Sequence, residues 1–590
     1  MAACIDYFDR GVDSVISKMK NIPVLKDEQR AALKEFVGGK DVIALLPTGF
    51  GKSLIYQIAP LVVKEMGGHP EPIVIIISPL IALIEDQIRE AGLLGVSAAQ
   101  LGEGKDSDIL NGHYQLVFGS PESWLKEKWL AMLGSTVYQT NLVGIVVDEV
   151  HVTYKWGQGA KGNPAFRESF SRLGELRSIV REGTPVMALT ASAEIANRDR
   201  VSRLLHMHSA TQITVSPNRH NIKLGLKHVP KDDLGCMDWV VTEVRQKGLL
   251  LSPIIIYCTS LKTVGRVFCH LKAKLGDDAW VDRDPDHKAE NLLIGMYHSK
   301  TLPQYKARVL ASFTGEGSCR VVVATTALGM GVNFPNVSHV VMYGAPEDVE
   351  GIVQQVGRAG RNCLPSHAVL YAIKGAPRVD KTVSAVIKAG AHGCFRKALF
   401  SHFDAQATSL EPGHLCCNYC HSICLCSSGV CVEPLPKCEL VPPQVSTTPP
   451  RCREVTEEDR DIIRDCLQKY RRTLVPDMPL VTNKTVCTGF GMELIDAAVC
   501  HSPYIFELSY ITNHLPVFRV RHAQEILLVM SEVFCDFEYS EPTLPDDDFL
   551  EPDIDFSYYF DESDEEFEFE QHSSGSDSDI GSRAVHHNAL

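Results

Sequence analysis

Leu45-Leu46-Pro47-Thr48-Gly49-Phe50-Gly51-Lys52-Ser53 overlaps and extends the apolar run Val42-Ile43-Ala44-Leu45, which reads as a buried strand. A Gly-containing turn that ends in Lys-Ser, set between a strand and a helix, is a phosphate cradle. Thr48, Gly49 and Gly51 turn the chain so that backbone N–H groups and the next helix N-terminus face the anion. Lys52 then reaches the outer phosphates and the Ser53 hydroxyl ligates Mg²⁺. The usual pattern has Gly six residues before the Lys, and Leu46 stands there instead. A second element supports the reading. Leu142-Val143-Gly144-Ile145-Val146-Val147 reads as another buried strand and ends in Asp148-Glu149-Val150-His151. An apolar strand delivering Asp-Glu to a sheet edge places one acid to hold Mg²⁺ (Asp148) and one to orient an attacking water (Glu149). A solvated acidic turn fits poorly after six apolar or small residues.

Outward from these two strands, short and mostly β-branched runs recur at 42–46, 73–77, 142–147, 186–189, 254–258, 321–324 and 340–343, with helical patterns between them. This predicts a parallel α/β fold. Seven such units suit two sheets better than one, with the break near 205–225. No repeat of solenoid period is present. The expected organisation is a first nucleotide-binding domain over 1–205 and a second α/β domain over 206–375. A helical, Cys-rich subdomain follows over 376–438, then a Pro/Thr/Ser linker over 439–454. A small, mostly helical domain is expected over 455–535. Thr456-Glu457-Glu458-Asp459 opens it as a capping box, ahead of Ile462, Ile463, Cys466, Leu467 and Tyr470 on one side. Further helices are expected around 491–499 and 522–533. Residues 536–590 read as an acidic, Ser-rich disordered tail.

The chain of 590 residues has room for three or four domains. Its net charge of −15 is concentrated in that tail, where 18 acids face one basic residue, Arg583, leaving the body at +2. A near-neutral body does not exclude nucleic acid, because a local basic groove suffices. The N-terminus MAACIDYFDRG lacks an apolar h-region, so no signal peptide is expected, and no apolar run would span a bilayer. A reducing, intracellular compartment follows as the expectation. Of 19 cysteines, eight fall between Cys394 and Cys438, and in such a compartment clustered cysteines point to metal rather than disulfides.

With the two nucleotide elements placed, the chain over about residues 15–430 resembles the RecQ-family ATP-dependent DNA helicases of helicase superfamily two. The resemblance implies two tandem RecA-like domains with ATP between them. Lys26-Asp27-Glu28-Gln29 looks like the family's adenine-reading element, and a Gln amide offers both donor and acceptor to the adenine edge. Ser78-Pro79-Leu80-Ile81-Ala82-Leu83 with Asp86-Gln87, and Ser120-Pro121-Glu122, are similar to its DNA-contacting motifs. Trp156-Gly157 and Phe166-Arg167 look like the aromatic-rich loop that couples DNA binding to hydrolysis, with a longer spacing (Gln158 to Ala165) than usual. Ala188-Leu189-Thr190-Ala191-Ser192-Ala193 resembles the motif linking nucleotide state to DNA contacts. Ile254 to Ser260 and Tyr297-His298 look like backbone-phosphate contacts, and Ala324 to Asn333 resembles the family's fifth motif. Gln354-Gln355-Val356-Gly357-Arg358-Ala359-Gly360-Arg361 resembles the sixth. Its spacing sets Arg358 and Arg361 on one face of a helix turn, from which they would reach the γ-phosphate across the cleft.

The family also carries a zinc site, for which Cys394, Cys417, Cys420 and Cys424 are the expected ligands, with Cys416 and Cys426 competing. No winged helix is recognisable in 440–535, which bears on duplex unwinding more than on DNA-stimulated hydrolysis. No exonuclease domain is expected ahead of the helicase motifs. The resemblance implies a nuclear, Mg²⁺- and ATP-dependent helicase that moves 3′ to 5′ on single-stranded DNA and unwinds duplexes in recombination, repair or replication. The alternatives are a DNA-stimulated remodeller without strand separation, an RNA helicase, or a non-enzymatic scaffold. In the tail, carboxylates interleave with Tyr558, Tyr559, Phe560, Phe567 and Phe569. That pattern reads as a mimic of single-stranded DNA, suited to this chain's own DNA groove or to a basic protein partner.

Overall fold

The computed structural model describes residues 2–19, 24–79, 81–156, 168–231, 233–281, 288–329, 334, 336–374, 379–426, 429–440, 451–474, 489–515, 517, 520–537 and 539. Two parallel sheets organise residues up to 373. The first contains β1 (Val42–Leu45), β2 (Ile73–Ile77), β3 (Ala98–Gln100), β4 (Leu116–Gly119), β5 (Leu142–Val147), β6 (Val186–Thr190) and β7 (Thr211–Thr214), in the order β3-β4-β2-β5-β6-β1-β7. The second contains β8 (Ile222–Val229), β9 (Ile254–Cys258), β10 (Ile294–Tyr297), β11 (Val321–Ala324), β12 (His339–Tyr343) and β13 (Ser366–Ile373), in the order β10-β11-β9-β12-β13-β8.

The apolar runs form central strands because both sheet faces are covered. In β1 and β2, Ile43, Leu45, Ile73, Ile75 and Ile77 enter one core. Their neighbours Val42, Ala44, Val74 and Ile76 enter another on the opposite face. Successive side chains of a strand point to opposite faces, so a strand between two helical layers must be apolar throughout. The second sheet repeats this, with Ile255 and Val322 in one core and Ile254, Ile256, Val321 and Val323 in the other.

The domain boundary at 205/206 needs correction. β7 pairs with β1 in register Val42↔Thr211, and Val215 N–H donates to Leu45 O at 2.9 Å, so the first lobe runs through about residue 215. β8 opens the second lobe. β7 is an edge strand whose Gln212 and Thr214 are exposed, so no apolar run marks it.

The Cys-rich segment packs on the edge of the second sheet. Leu224 N–H donates to Cys416 O at 3.1 Å, and Asn418 bonds Leu226 through both its amide oxygen and its amide nitrogen. The fully buried Arg396 guanidinium gathers Asn218 Oδ1 and the carbonyls of Arg219, Ile222 and Cys416, fixing the inter-lobe connection to this subdomain.

Beyond the linker, the described residues form the helices Glu457–Thr473, Met492–His501, Leu508–His514 and Val520–Phe534 around a core of Ile463, Leu467, Ile495 and Ile526. Thr456 and Asp459 make the expected reciprocal cap. Ile463 and Leu467 are buried, whereas Ile462 turns outward. Among the described residues of 451–537 no strand is present. The acidic tail lies outside the described residues except Asp536, Phe537 and Tyr539, and so does most of the linker.

Candidate nucleotide-hydrolysis site

β1 ends at Leu45 and the helix Lys52–Glu65 begins seven residues later. Gly49 (φ 81°) and Gly51 (φ 90°) lie in the left-handed region that Gly enters without a Cβ penalty, and they make this reversal possible. Leu46 is tolerated in place of a third Gly because it still extends the strand. Its N–H donates to Thr190 O at 3.0 Å, its side chain is buried, and its φ is not positive. Lys52 Nζ donates to Leu46 O at 3.3 Å, so the lysine lies back along the loop it serves. Ser53 is the second residue of that helix, where a hydroxyl can face an ion at the loop mouth.

Gln29 sits behind the loop and is buried. Its amide donates to Phe50 O at 3.0 Å and to Gly51 O at 2.9 Å, while its oxygen accepts from Lys26 N–H at 2.9 Å. Lys26 Nζ lies 3.9 Å from the Phe50 ring centroid. The expected adenine reader thus has its amide nitrogen committed to the phosphate loop and its amide oxygen to Lys26.

β5 delivers Asp148 and Glu149 to the mouth of the same loop. Glu149 has φ 48°, a left-handed backbone rare for a non-Gly residue and costing about 1–3 kcal/mol. That turn brings its carboxylate back onto His151, whose Nδ1 is 3.3 Å from Glu149 Oε2 and 3.0 Å from Thr190 Oγ1. Across the cleft, Gln354 Nε2 is 2.9 Å from His151 Nε2 and 3.2 Å from Ser192 Oγ. An amide nitrogen only donates, so His151 Nε2 accepts and its proton sits on Nδ1, facing Glu149 and Thr190. Burial and the neighbouring Glu149 push the Asp148 carboxyl up to about 6. Burial alone would raise Glu149 as well. The His151 hydrogen bond and the Lys52 and Arg358 charges outweigh it and hold Glu149 down at about 2. Of the two acids, Glu149 is the one fixed as a carboxylate.

The second lobe supplies the arginines, and here the helix-turn expectation fails. The helix Val349–Val356 stops before Gly357, and Arg358 and Arg361 lie on the turn that follows. That turn is held by Gly360 N–H donating to Val337 O and by Arg219 and Asn221 donating to Gly360 O. It meets the phosphate loop directly: a Cβ placed on Gly49 would lie 3.8 Å from Arg361 Cδ, and one on Gly357 3.6 Å from Thr48 Oγ1. Burial, with Arg358 and Arg219 nearby, pushes the Arg361 guanidinium down to about 9. Three guanidiniums crowded into a dry cleft favour a polyanion between them.

Of the DNA-contacting expectations, Gln87 is an internal tie, accepting from Tyr56 Oη and Gln57 Nε2, each at 2.9 Å. Trp156 ends the helix His151–Trp156, but its side chain, the loop 157–167 and Met330 to Asn333 lie outside the described residues.

The cysteine expectation also changes. The Sγ atoms of Cys394, Cys416, Cys417 and Cys420 lie within 4.8 Å of one another, a donor set that fits tetrahedral Zn²⁺. Cys424 belongs to a different group. The adjacent pair Cys416-Cys417 both enter the first quartet because Cys416 closes a 3-10 turn while Cys417 caps the helix Asn418–Ser422.

The sequence matches the DEAD/DEAH box helicase family over residues 26–201 and the helicase conserved C-terminal domain over 252–363. The ATP-dependent DNA helicase hus2/rqh1 of Schizosaccharomyces pombe is 31% identical over 361 residues, covering 59% of this chain and 24% of that protein. The ATP-dependent DNA helicase RecQ of Haemophilus influenzae is 28% identical over 368 residues, covering 61% of this chain and 52% of that protein. Over about 60% of its length the chain is similar to RecQ-type ATP-dependent DNA helicases. It spans about half or less of the length of these relatives. Among solved structures, that of the DUF1998 helicase MrfA bound to DNA is similar at TM-score 0.50 and 19% identity, covering 65% of this chain and 53% of that one. That likeness is one of fold, and the two lobes are RecA-like. The phosphate loop and the Asp148-Glu149 pair both fall in the cleft between the lobes.

Proposed function

We propose that this chain is a RecQ-family ATP-dependent DNA helicase, translocating 3′ to 5′ on single-stranded DNA and separating duplexes in recombination, repair or replication, in the nucleus. The observation that carries the proposal is the meeting of Arg361 with Gly49, which brings the phosphate loop, the Asp148-Glu149 pair and the arginine turn into one cleft. Loop N–H groups and Lys52 bind the ATP phosphates. Glu149, held ionised by His151, orients the attacking water. Arg358 and Arg361 stabilise charge on the transferring phosphoryl group. Ser53 and Asp148 would hold Mg²⁺, which neutralises phosphate charge when bound. Cys394, Cys416, Cys417 and Cys420 would hold a structural Zn²⁺. Hydrolysis is transmitted through the His151–Gln354–Ser192 bridge, which joins the acid pair to both lobes, and opening and closing of the cleft moves the two DNA-binding surfaces relative to each other.

One specific observation favours a second reading, a DNA-stimulated ATPase that remodels nucleoprotein without unwinding. The described residues of 451–537 hold helices only, with no β-hairpin to wedge a duplex open. Steady-state ATP hydrolysis with and without single-stranded DNA, paired with forked DNA and RNA duplex substrates, separates the readings. Strand separation of DNA forks is the expected result. DNA-stimulated hydrolysis without separation selects the second reading, and activity on RNA duplexes alone removes both.

A further inference from the structure

Below the Cys394 quartet the chain makes a second cluster that the zinc-site expectation does not use. His414 Nδ1 lies 3.6 Å from Cys424 Sγ, 3.3 Å from Cys426 Sγ and 3.5 Å from Cys431 Sγ. Cys426 and Cys431 Sγ are 3.6 Å apart. Ligands at about 2.0–2.3 Å from one tetrahedral Zn²⁺ stand about 3.3–3.8 Å from each other. Four of the six edges of a zinc tetrahedron are therefore already in place, and the other two are within 4.8 Å. At 3.6 Å the two sulfurs are far outside the bonded distance of about 2.05 Å in a disulfide.

The described residues of the loop that carries these donors bury little apolar surface of their own. Among the described residues of 423–435, Cys424 alone is buried. Ile423, Leu425, Val430 and Val432 are 60%, 73%, 65% and 76% exposed, so the aliphatic side chains point outward, and of the three thiols Cys424 is buried, Cys431 half-buried and Cys426 exposed. A loop that exposes its aliphatics buries too little apolar surface to hold its shape by packing, and metal–ligand bonds are a term that compensates. The other histidine nearby is not a competing ligand. His421 Nδ1 is 2.6 Å from Lys223 Nζ and its Nε2 is 2.9 Å from Glu433 O, so both ring nitrogens are engaged.

We propose that His414, Cys424, Cys426 and Cys431 form a second structural zinc site, separate from the Cys394, Cys416, Cys417 and Cys420 site. The two ligand sets interleave along the chain: His414 precedes Cys416, and Cys424 follows Cys420. They also touch in space, since a Cβ on Gly413 would lie 2.5 Å from Cys420 O and 3.3 Å from Cys424 Cβ. The second ion thus closes the segment that presents three ligands of the first, bracing the subdomain against β8.

Elemental analysis of the purified full chain tests this without reference to activity. Two zinc ions per chain are expected in the parent, and one in the Cys426→Ser, Cys431→Ser double variant. Zinc release to a chelator should then be faster from the remaining site of the variant than from the Cys394 site of the parent. Should the variant fail to fold, the parent decides alone. One zinc per folded chain, or a Cys426–Cys431 disulfide in its non-reduced mass, overturns the proposal. After Co²⁺ substitution, thiolate-to-metal absorption from seven sulfurs in the parent and four in the variant is expected, and equal intensity in the two also overturns it.

Discussion

At the residue scale the cleft is an arrangement of opposed electrostatic demands. Glu149 is held ionised at about 2, while the Arg361 cation is weakened to about 9 by burial and by Arg358 and Arg219. A nucleotide's phosphates would supply the negative charge that favours the Arg361 cation, while the ionised Glu149 would accept a hydrogen bond from the attacking water. Glu149→Gln keeps the side chain's size and its contact with His151 but removes the charge that orients water. Nucleotide binding should persist while turnover falls by orders of magnitude, and hydrolysis at the parent rate would remove Glu149 from its assigned role. Arg361→Ala should cost about 10³-fold or more in turnover, as loss of a finger arginine does, with nucleotide affinity largely kept. Single-turnover hydrolysis beside fluorescent-nucleotide binding separates the two quantities, and unchanged turnover places Arg361 outside the chemistry. These residues were legible in the sequence because each sits in a short contiguous motif. What was not legible is that Arg358 and Arg361 stand on a turn rather than a helix. That outcome depends on Gly360, Val337 and Arg219 meeting from three distant segments.

At the element scale, the phosphate loop depends on a residue behind it. Gln29 donates both amide hydrogens to the carbonyls of Phe50 and Gly51, so Gln29→Ala removes a donor from each and leaves Phe50 O with Lys26 Nζ at 3.3 Å, at about 0.5–1.5 kcal/mol for each bond lost. The variant should melt lower and show a raised KM for ATP and GTP alike. A selective loss of ATP over GTP would instead show that Gln29 reads the base. The elements themselves divide by what covers them. β2, β5, β9 and β11 are apolar on both faces and announce themselves as uniform runs. β3 and β7 are edge strands with half-polar patterns and carry no such signal. The cysteines were legible as a metal-binding group but not in their partition. Eight thiols within 45 residues can be sorted only by the path of the chain, and the helix Asn418–Ser422 ends between Cys420 and Cys424, which enter different groups. His414 had no motif to mark it.

At the scale of the whole molecule, charge acts in two places. The tail lies largely outside the described residues, but its net charge of −17 against a body of +2 is a property of the sequence. If it competes with DNA for a basic groove, truncation after Cys535 should tighten binding of single-stranded DNA at low salt, and the gain should shrink as salt rises. Equal affinity with and without the tail at low salt would leave it a solvating segment. The lobes themselves are closed by a charged cluster. Lys155 of the first lobe lies 2.9 Å from Asp348 and 2.8 Å from Glu350 of the second, and Glu194 N–H donates to Glu350 at 3.0 Å. Next to it, Ile195 N–H and Arg198 donate to the carbonyls of His402 and Phe403, at 3.0 and 2.7 Å, tying the first lobe to the Cys-rich subdomain. Glu194 is the strained member. Burial first, then the Glu350 and Asp348 carboxylates, push it up to about 7, with Asp380 adding to this and Lys155 opposing it. His402 Nδ1 is 3.5 Å from its carboxylate. A carboxyl whose folded value lies above its unfolded value of about 4.3 holds its proton more tightly when folded. Its stabilising contribution is complete below about 4.3 and is lost as the pH rises through about 7. Glu194→Gln cannot ionise and keeps the shape of the neutral acid. The variant should therefore melt higher than the parent at pH 8 and approach it toward pH 5, as protonation makes the two side chains equivalent. A difference in Tm that stays flat across that range would show that Glu194 is not the group that loosens the closed lobes.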